Sequence, residues 1–493
     1  MNSAGTHKRV ALGFLWNLAG LVVLIFKKLL FVPACLYFLN AQAFGEWNYI
    51  FAVAAYCSIL NFGWDRFVIN KLIILIPKSR SDANDFVTSN IFFITSYCTV
   101  FWFLFNLVVY LVGSDHFDIL FWLSLYTFLL IPAKIIHYLY STVDKYYRTR
   151  ALVVGEELFQ TGFIVLILYW YKSIQYLPFA YLIPQAIFTT YIVYDLSQNY
   201  GINIFSGKIK FSIFKDSFSR SLSFYVSSLS STVLVRTPVV LIGNFISPHA
   251  VAIYATHVTL FNTFKLFHYA TESAISPEVT KLFSLRQGQK VELVLELFVK
   301  ASYASAFIFS VTLLVMADTF FKYFSSGKIV SDFRLMLIMA VGFVSYSIWE
   351  SFALFLKATN LNKKLARLEL MVGGGAMLGA TLGAVLLKDF YIVAMLVACN
   401  HLVLVIFVPR ITSRELGLNI IEIFKRNKIF CALMPVFSFC TFYFMQGINI
   451  LWLRILILIL FVCLVFVLSF VNFREIEKKE LEKILFPSKK ANT

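Results

Sequence analysis

Fourteen apolar runs follow one another along the chain, with approximate limits 11–38, 44–70, 87–112, 117–140, 151–171, 177–197, 221–246, 250–274, 299–317, 333–356, 368–387, 390–409, 429–446 and 450–472. A bilayer core about 30 Å thick takes roughly 20 helical residues at about 1.5 Å each, so runs of this length predict spanning helices. The runs near 44–70 and 250–274 are expected to continue several residues past the bilayer on their inner side. Segments between runs are short, and the longest on the predicted outer side, Asp318 to Asp332, holds about fifteen residues. A polymerase, a ligase or a lipid-linked-sugar glycosyltransferase would need more room outside for an acceptor site and its carboxylates.

Composition agrees with the pattern. Of 493 residues, 60% are hydrophobic, 18% aromatic and only 14% charged, which describes a chain dissolved in lipid. The formal charge of +17 is spread over many short loops, so no basic domain exists to grip nucleic acid. Alternate loops and both termini hold 28 lysines and arginines, whereas the opposite loops hold Lys172, Lys322, Lys328 and Lys388. The positive-inside rule therefore predicts that both ends face the cytoplasm. His7-Lys8-Arg9 before an apolar run, with Ala41-Gln42-Ala43 after it, imitates a signal peptide. That run is far longer than a leader's core and carries two lysines, which predicts a retained first span. All seven cysteines lie in apolar runs without C-x-x-C spacing and read as small apolar side chains. No phosphate-binding loop, H-E-x-x-H or nucleophile elbow is present, so the sequence predicts no ATP-driven pump, enzyme, metal or cofactor site.

The informative residues are the charges inside the runs. Lys27 and Lys28 lie about ten residues before Phe38, or about 15 Å of rise, which places them near mid-membrane. A charge at that depth costs about 2.5–3.5 kcal/mol on insertion scales and normally faces protein or a wet cavity. A weak internal repeat supplies a second cation. Phe38-Leu39-Asn40-Ala41-Gln42-Ala43-Phe44-Gly45-Glu46-Trp47 has its counterpart in Phe245-Ile246-Ser247-Pro248-His249-Ala250-Val251-Ala252-Ile253-Tyr254, and Arg236 lies ten residues before Ile246. Each of these cations either lines a shared cavity or snorkels and pairs at a helix contact.

Span eight adds His257, Lys265, His268 and Glu272 roughly on one helical face, as a cavity-facing stripe or a self-neutralising one. Glu350 in span ten either titrates, coupling transport to an ion, or pairs with a base such as Lys357; Asp65 and Arg66 read as a structural pair. Gly375, Gly379 and Gly383 predict a packing ridge on span eleven, and Pro33, Pro238 and Pro277 predict bends.

The turn Leu39 to Tyr49 resembles the L-G-x-x-x-F-G-x-(W/L)-x-Y signature of Wzx-type polysaccharide flippases. The region Arg236–Ile242, Ala250–Tyr254 and Ser276-Pro277 is similar to a second pattern of that family. The likeness spans essentially the whole chain, with two departures: Asn40 stands where glycine is frequent, and relatives often carry an acidic residue near the position of Arg236. The resemblance implies the multidrug/oligosaccharidyl-lipid/polysaccharide exporter fold. That means an all-α polytopic protein with two pseudo-symmetric six-helix bundles, here 1–205 and 206–415, and a C-terminal helix pair with a basic tail, 416–493.

It also implies a flippase in the bacterial inner membrane, carrying an undecaprenyl-pyrophosphate-linked oligosaccharide outward for O-antigen, capsule or exopolysaccharide assembly. A polysaccharide polymerase and a chain-length regulator are the partners this implies. Lys27, Lys28 and Arg236 are the expected pyrophosphate contacts, Lys265 and His268 secondary ones, and Glu350 and Glu272 candidates for ion coupling. The alternatives are a multidrug cation antiporter, a lipid II flippase or a membrane scaffold without transport.

Overall fold

The computed structural model describes the backbone of residues 3–76, 79–140, 146–359, 361–446, 448 and 450–471, and the side chains of most of these. Its elements are helices, and no strand occurs among the described residues. In chain order they are α1 (Ser3–Phe38), α2 (Ala41–Ala55), α3 (Trp64–Leu75), α4 (Arg80–Leu111), α5 (Phe117–Tyr138), α6 (Tyr146–Tyr171), α7 (Leu177–Tyr200) and α8 (Phe211–Phe245). There follow α9 (Pro248–Ser284), α10 (Gly288–Phe324), α11 (Phe333–Ala358), α12 (Lys363–Leu382), α13 (Phe390–Leu416), α14 (Ile420–Arg426), α15 (Lys428–Gln446) and α16 (Leu451–Val471).

Apart from 44–70, each apolar run falls on one helical pass, and nine described helices are long and apolar enough to cross a membrane. The chain is an all-α polytopic membrane protein. α8 and α9 are richer in polar residues than these nine, whereas α16 is a 21-residue helix apolar almost throughout. Several helices outrun the apolar pattern by one or more turns, as α9 does to Ser284, because a helix keeps its ladder after its side chains turn polar. α1 and α8 run unbroken through Pro33 and Pro238.

The run 44–70, expected as one span, is two helices. α2 tightens into a 3₁₀ segment at Tyr56–Asn61, then Phe62 (φ 47°) and Gly63 (φ 70°) turn through left-handed backbone into α3. Three rings hold Phe62 there: Tyr97, Phe218 and Tyr225 lie at centroid distances of 5.9, 5.5 and 4.9 Å. Such a break within a membrane is tolerated where protein or a wet cavity surrounds the freed backbone groups.

Two compact units emerge: residues 1–266, 324–329 and 377–393 form the first, and 267–323, 330–376 and 394–493 the second.

In the first unit α1 runs alongside α6 in the same direction, from Gly20 beside Val154 to Phe38 against the Tyr169 ring. A core of Trp64, Val68, Leu72, Ile94, Phe128, Ile135 and Leu196 fills the space among α3, α4, α5 and α7. The α7–α8 connector is clamped to the start of α4: Lys208 N donates to Asp85 Oδ1 at 2.7 Å, and Lys210 Nζ to Asp85 Oδ2 at 2.7 Å.

In the second unit α11 is the central post, burying Trp349, Phe352, Leu354 and Phe355. The terminal helices α15 and α16 pack on α10 through Val311, Met434, Phe461 and Val465. Asn427 adds a bond to buried Glu296 at 2.8 Å. The glycine ridge holds at Gly383 but not at Gly375. A Cβ at Gly383 would stand 2.6 Å from Ile392, but Gly375 is exposed and has nothing within 4 Å, so it carries no helix contact.

Candidate functional site

Lys27 and Lys28 are neighbours on α1, about 100° apart around the helix, so their nearest partners differ although Glu157 lies near both. Lys27 turns to α6. Its Nζ makes an ion pair with Glu157 and donates to Gln160 Oε1 at 2.5 Å, while standing 5.5 Å from the centroid of the Tyr181 ring. Glu157 and Gln160 are three residues apart on α6, the spacing that brings both side chains to one face.

Lys28 is half-buried, and its charged neighbours are Arg236 of α8 and, more weakly, Glu157. Neither Lys28 nor Arg236 makes an ion pair among the described residues. Arg236 instead lies over the face of Phe51, its guanidinium carbon 5.4 Å from the centroid, as a cation–π contact.

The rings beneath these cations form one platform. Tyr181 meets Trp47 at 6.0 Å, Phe51 at 5.7 Å and Tyr126 at 5.4 Å between centroids. Tyr56 closes the arrangement by sharing a 2.5 Å hydrogen bond with Thr237, the residue after Arg236. The break that follows α2 begins at Tyr56, so the discontinuity and the cation site are adjacent. Broken helices of this kind build binding sites in transporters because their freed backbone groups and termini face the cargo.

A second polar group lies alongside. His137 Nδ1 of α5 is 3.5 Å from Glu156 Oε2, and its Nε2 is 3.1 Å from Thr189 Oγ1. Counting formal charges, Lys27, Lys28 and Arg236 face Glu156 and Glu157, which leaves the locality net positive even with His137 neutral. Lys28 and Arg236 thus carry charge without an ion pair among the described residues, and in a low-dielectric setting unlike charges attract far more strongly than in water.

Three of the five expected substrate contacts, Lys27, Lys28 and Arg236, therefore come together, one from each repeated segment and a neighbour. The others are elsewhere. Lys265 is half-buried at the end of the first unit, and His268 belongs to the second, its ring 5.4 Å from Phe298 and 6.0 Å from Tyr346. His257 is fully buried and uses Nδ1 on its own helix at Ile253 O, 2.7 Å away. The side chains of Glu272, Asp65 and Arg66 lie outside the described residues. Glu350 pairs with Lys357 in the second unit, where buried Glu369 also feels both charges.

Sequence reading passed over Glu156, Glu157, Gln160 and Tyr181. The signal was present as two adjacent carboxylates five residues into an apolar run, the same anomaly that drew attention to Lys27 and Lys28.

Comparison with solved structures gives the class first: the fold is that of the multidrug and lipid-flippase transporter structures. A lipid II flippase MurJ in an inward closed conformation superimposes with a TM-score of 0.66 and 14% identity, covering 97% of this chain and 99% of that one. An inward-facing multidrug resistance MATE family transporter of the MOP superfamily superimposes with a TM-score of 0.61 and 10% identity, covering 83% and 97%. An outward-facing form of such a transporter gives 0.57 and 12%, covering 83% and 96%. No protein-family model matches the chain, and no curated protein matches its sequence.

Proposed function

We propose that the protein is a flippase of lipid-linked oligosaccharides, carrying a diphosphate-bearing head group from the inner to the outer leaflet by alternating access. The observation that carries this reading is the pair Lys28 and Arg236, half-buried, mutual neighbours and without an ion-pair partner among the described residues. A diphosphate diester bears two negative charges and matches two cations, and Phe51, half-buried, holds one of them by the contact of its ring face with Arg236. The resemblance to Wzx-type flippases directs the cargo toward surface-polysaccharide repeat units.

Length supports a lipid-borne cargo over an organic cation. The lipid II flippase structure matches nearly all of this chain, including the terminal pair, whereas the multidrug transporters leave about a sixth of it unmatched. For the same reason a lipid II cargo is the second reading. An organic cation would meet Lys28 and Arg236 here, with Glu157 already paired to Lys27.

The test is flipping of a fluorescent polyprenyl-diphosphate sugar in proteoliposomes. Lys28→Gln and Arg236→Gln should each slow transfer at least tenfold at unchanged protein incorporation, and the double variant should abolish it. Wild-type rates in both single variants would overturn the assignment. Supplying polyprenyl-diphosphate disaccharide-pentapeptide beside polyprenyl-diphosphate oligosaccharide separates the two cargoes.

A further inference from the structure

Glu157 sits where a mobile anion would have consequences. It is paired with Lys27 and is also a charged neighbour of Lys28, so one carboxylate addresses both lysines. Its side chain retains 25% of its exposure, enough freedom to change partners.

Lys27 is provided for independently: Gln160 Oε1 accepts from it at 2.5 Å and the Tyr181 ring lies beneath it, both neutral groups that remain when Glu157 departs. Gln160 is itself held by Tyr126. Glu156 cannot substitute, because His137 engages it on the neighbouring face.

We propose that Glu157 is a built-in competitor of the cargo. It exchanges between Lys27 and Lys28, and by claiming Lys28 it dislodges the diphosphate so that the head group can leave. This rests on the assignment of Lys28 and Arg236 to the head group. Binding alone would otherwise trap the cargo, since two desolvated cations hold a dianion tightly and slow its release. A resident carboxylate lowers the net gain on binding and so raises turnover, at the cost of affinity.

The experiment measures binding of farnesyl diphosphate, a prenyl diphosphate without sugar, to protein in nanodiscs, together with flipping of the fluorescent cargo. Glu157→Gln keeps the shape and the acceptor oxygen for Lys27 but removes the competing charge. It should bind the probe about tenfold tighter, because a charge that repels the anion and occupies its partner is gone, while transfer falls severalfold. Glu157→Asp should restore much of the wild-type rate. In a Lys28→Gln background the affinity gain from Glu157→Gln should vanish, because the contested partner is missing. Misfolding cannot produce tighter binding with slower transfer.

Unchanged or weaker probe binding in Glu157→Gln, or a gain that persists without Lys28, overturns the exchange. The two proposals fail separately: if Lys28→Gln and Arg236→Gln bind the probe like wild type, the anion site itself is wrong. If they lose it while Glu157→Gln is neutral, only the competitor role falls.

Discussion

Asn40 stands where the resembled family often has glycine, and its geometry shows why no glycine is needed. Its backbone is extended (φ −94°, ψ 170°), open to any residue, and its Oδ1 accepts from Ala43 N at 2.7 Å, capping α2. Asn40→Ala should lower stability by about 1 kcal/mol and Asn40→Gly by only a few tenths, as thermal unfolding in detergent would register.

Gly45 is the opposite case. A Cβ there would stand 1.8 Å from the carbonyl oxygen of Pro248 and 3.2 Å from Ala252 N, so backbone would have to move. Gly45→Ala should cost about 1–3 kcal/mol on the same assay, the usual range for overpacking. The sequence showed both residues in a repeated turn, but only coordinates show that the two copies of the turn touch. Glu157 is hidden in the sequence for a related reason: sign and depth do not give a carboxylate its partner, which α6 lying alongside α1 supplies.

At the scale of the element, apolar runs located fourteen passes because burial in lipid demands continuous apolar length, and little else in a sequence produces it. The break between α2 and α3 was hidden in the same signal, since Tyr56 to Trp64 is as apolar as a continuous span. Its punctuation was Gly63, a single residue with φ 70°. Gly63→Ala should strain that turn by about 1 kcal/mol. Because the break adjoins Tyr56 and Arg236, transfer should fall more than stability does. Comparing flipping rates with melting temperatures in one preparation would show it, and a loss of stability alone would separate the break from the site.

Another element ends on a borrowed charge. Lys328 Nζ donates to the carbonyls of Leu39 at 2.7 Å and Tyr37 at 3.3 Å, capping the electronegative end of α1. Lys328→Met should loosen this end and speed proteolysis or labelling at the α1–α2 turn, with protection equal to wild type counting against the cap.

For the molecule as a whole, one end of the first unit bears the signature of a closure that can open. The repeated turns meet through Gly45 against Pro248 and Gly243 beneath Tyr49, and Tyr49 donates to Asn244 Oδ1 at 2.6 Å. Small residues permit the close approach, and the one neutral hydrogen bond contributes only about 1 kcal/mol net. With both termini inside, as we propose from the loop charges, this end lies outside, and a head group held by Lys28 and Arg236 would have to pass between these turns. Cysteines replacing Tyr49 and Asn244, in a chain otherwise free of cysteine, should be joined by a short bifunctional maleimide. Flipping should then stop while binding of farnesyl diphosphate from the opposite side persists, because the cation site lies below the closure and is untouched by it. Transfer at the wild-type rate through a quantitatively cross-linked protein would mean that cargo never passes this way.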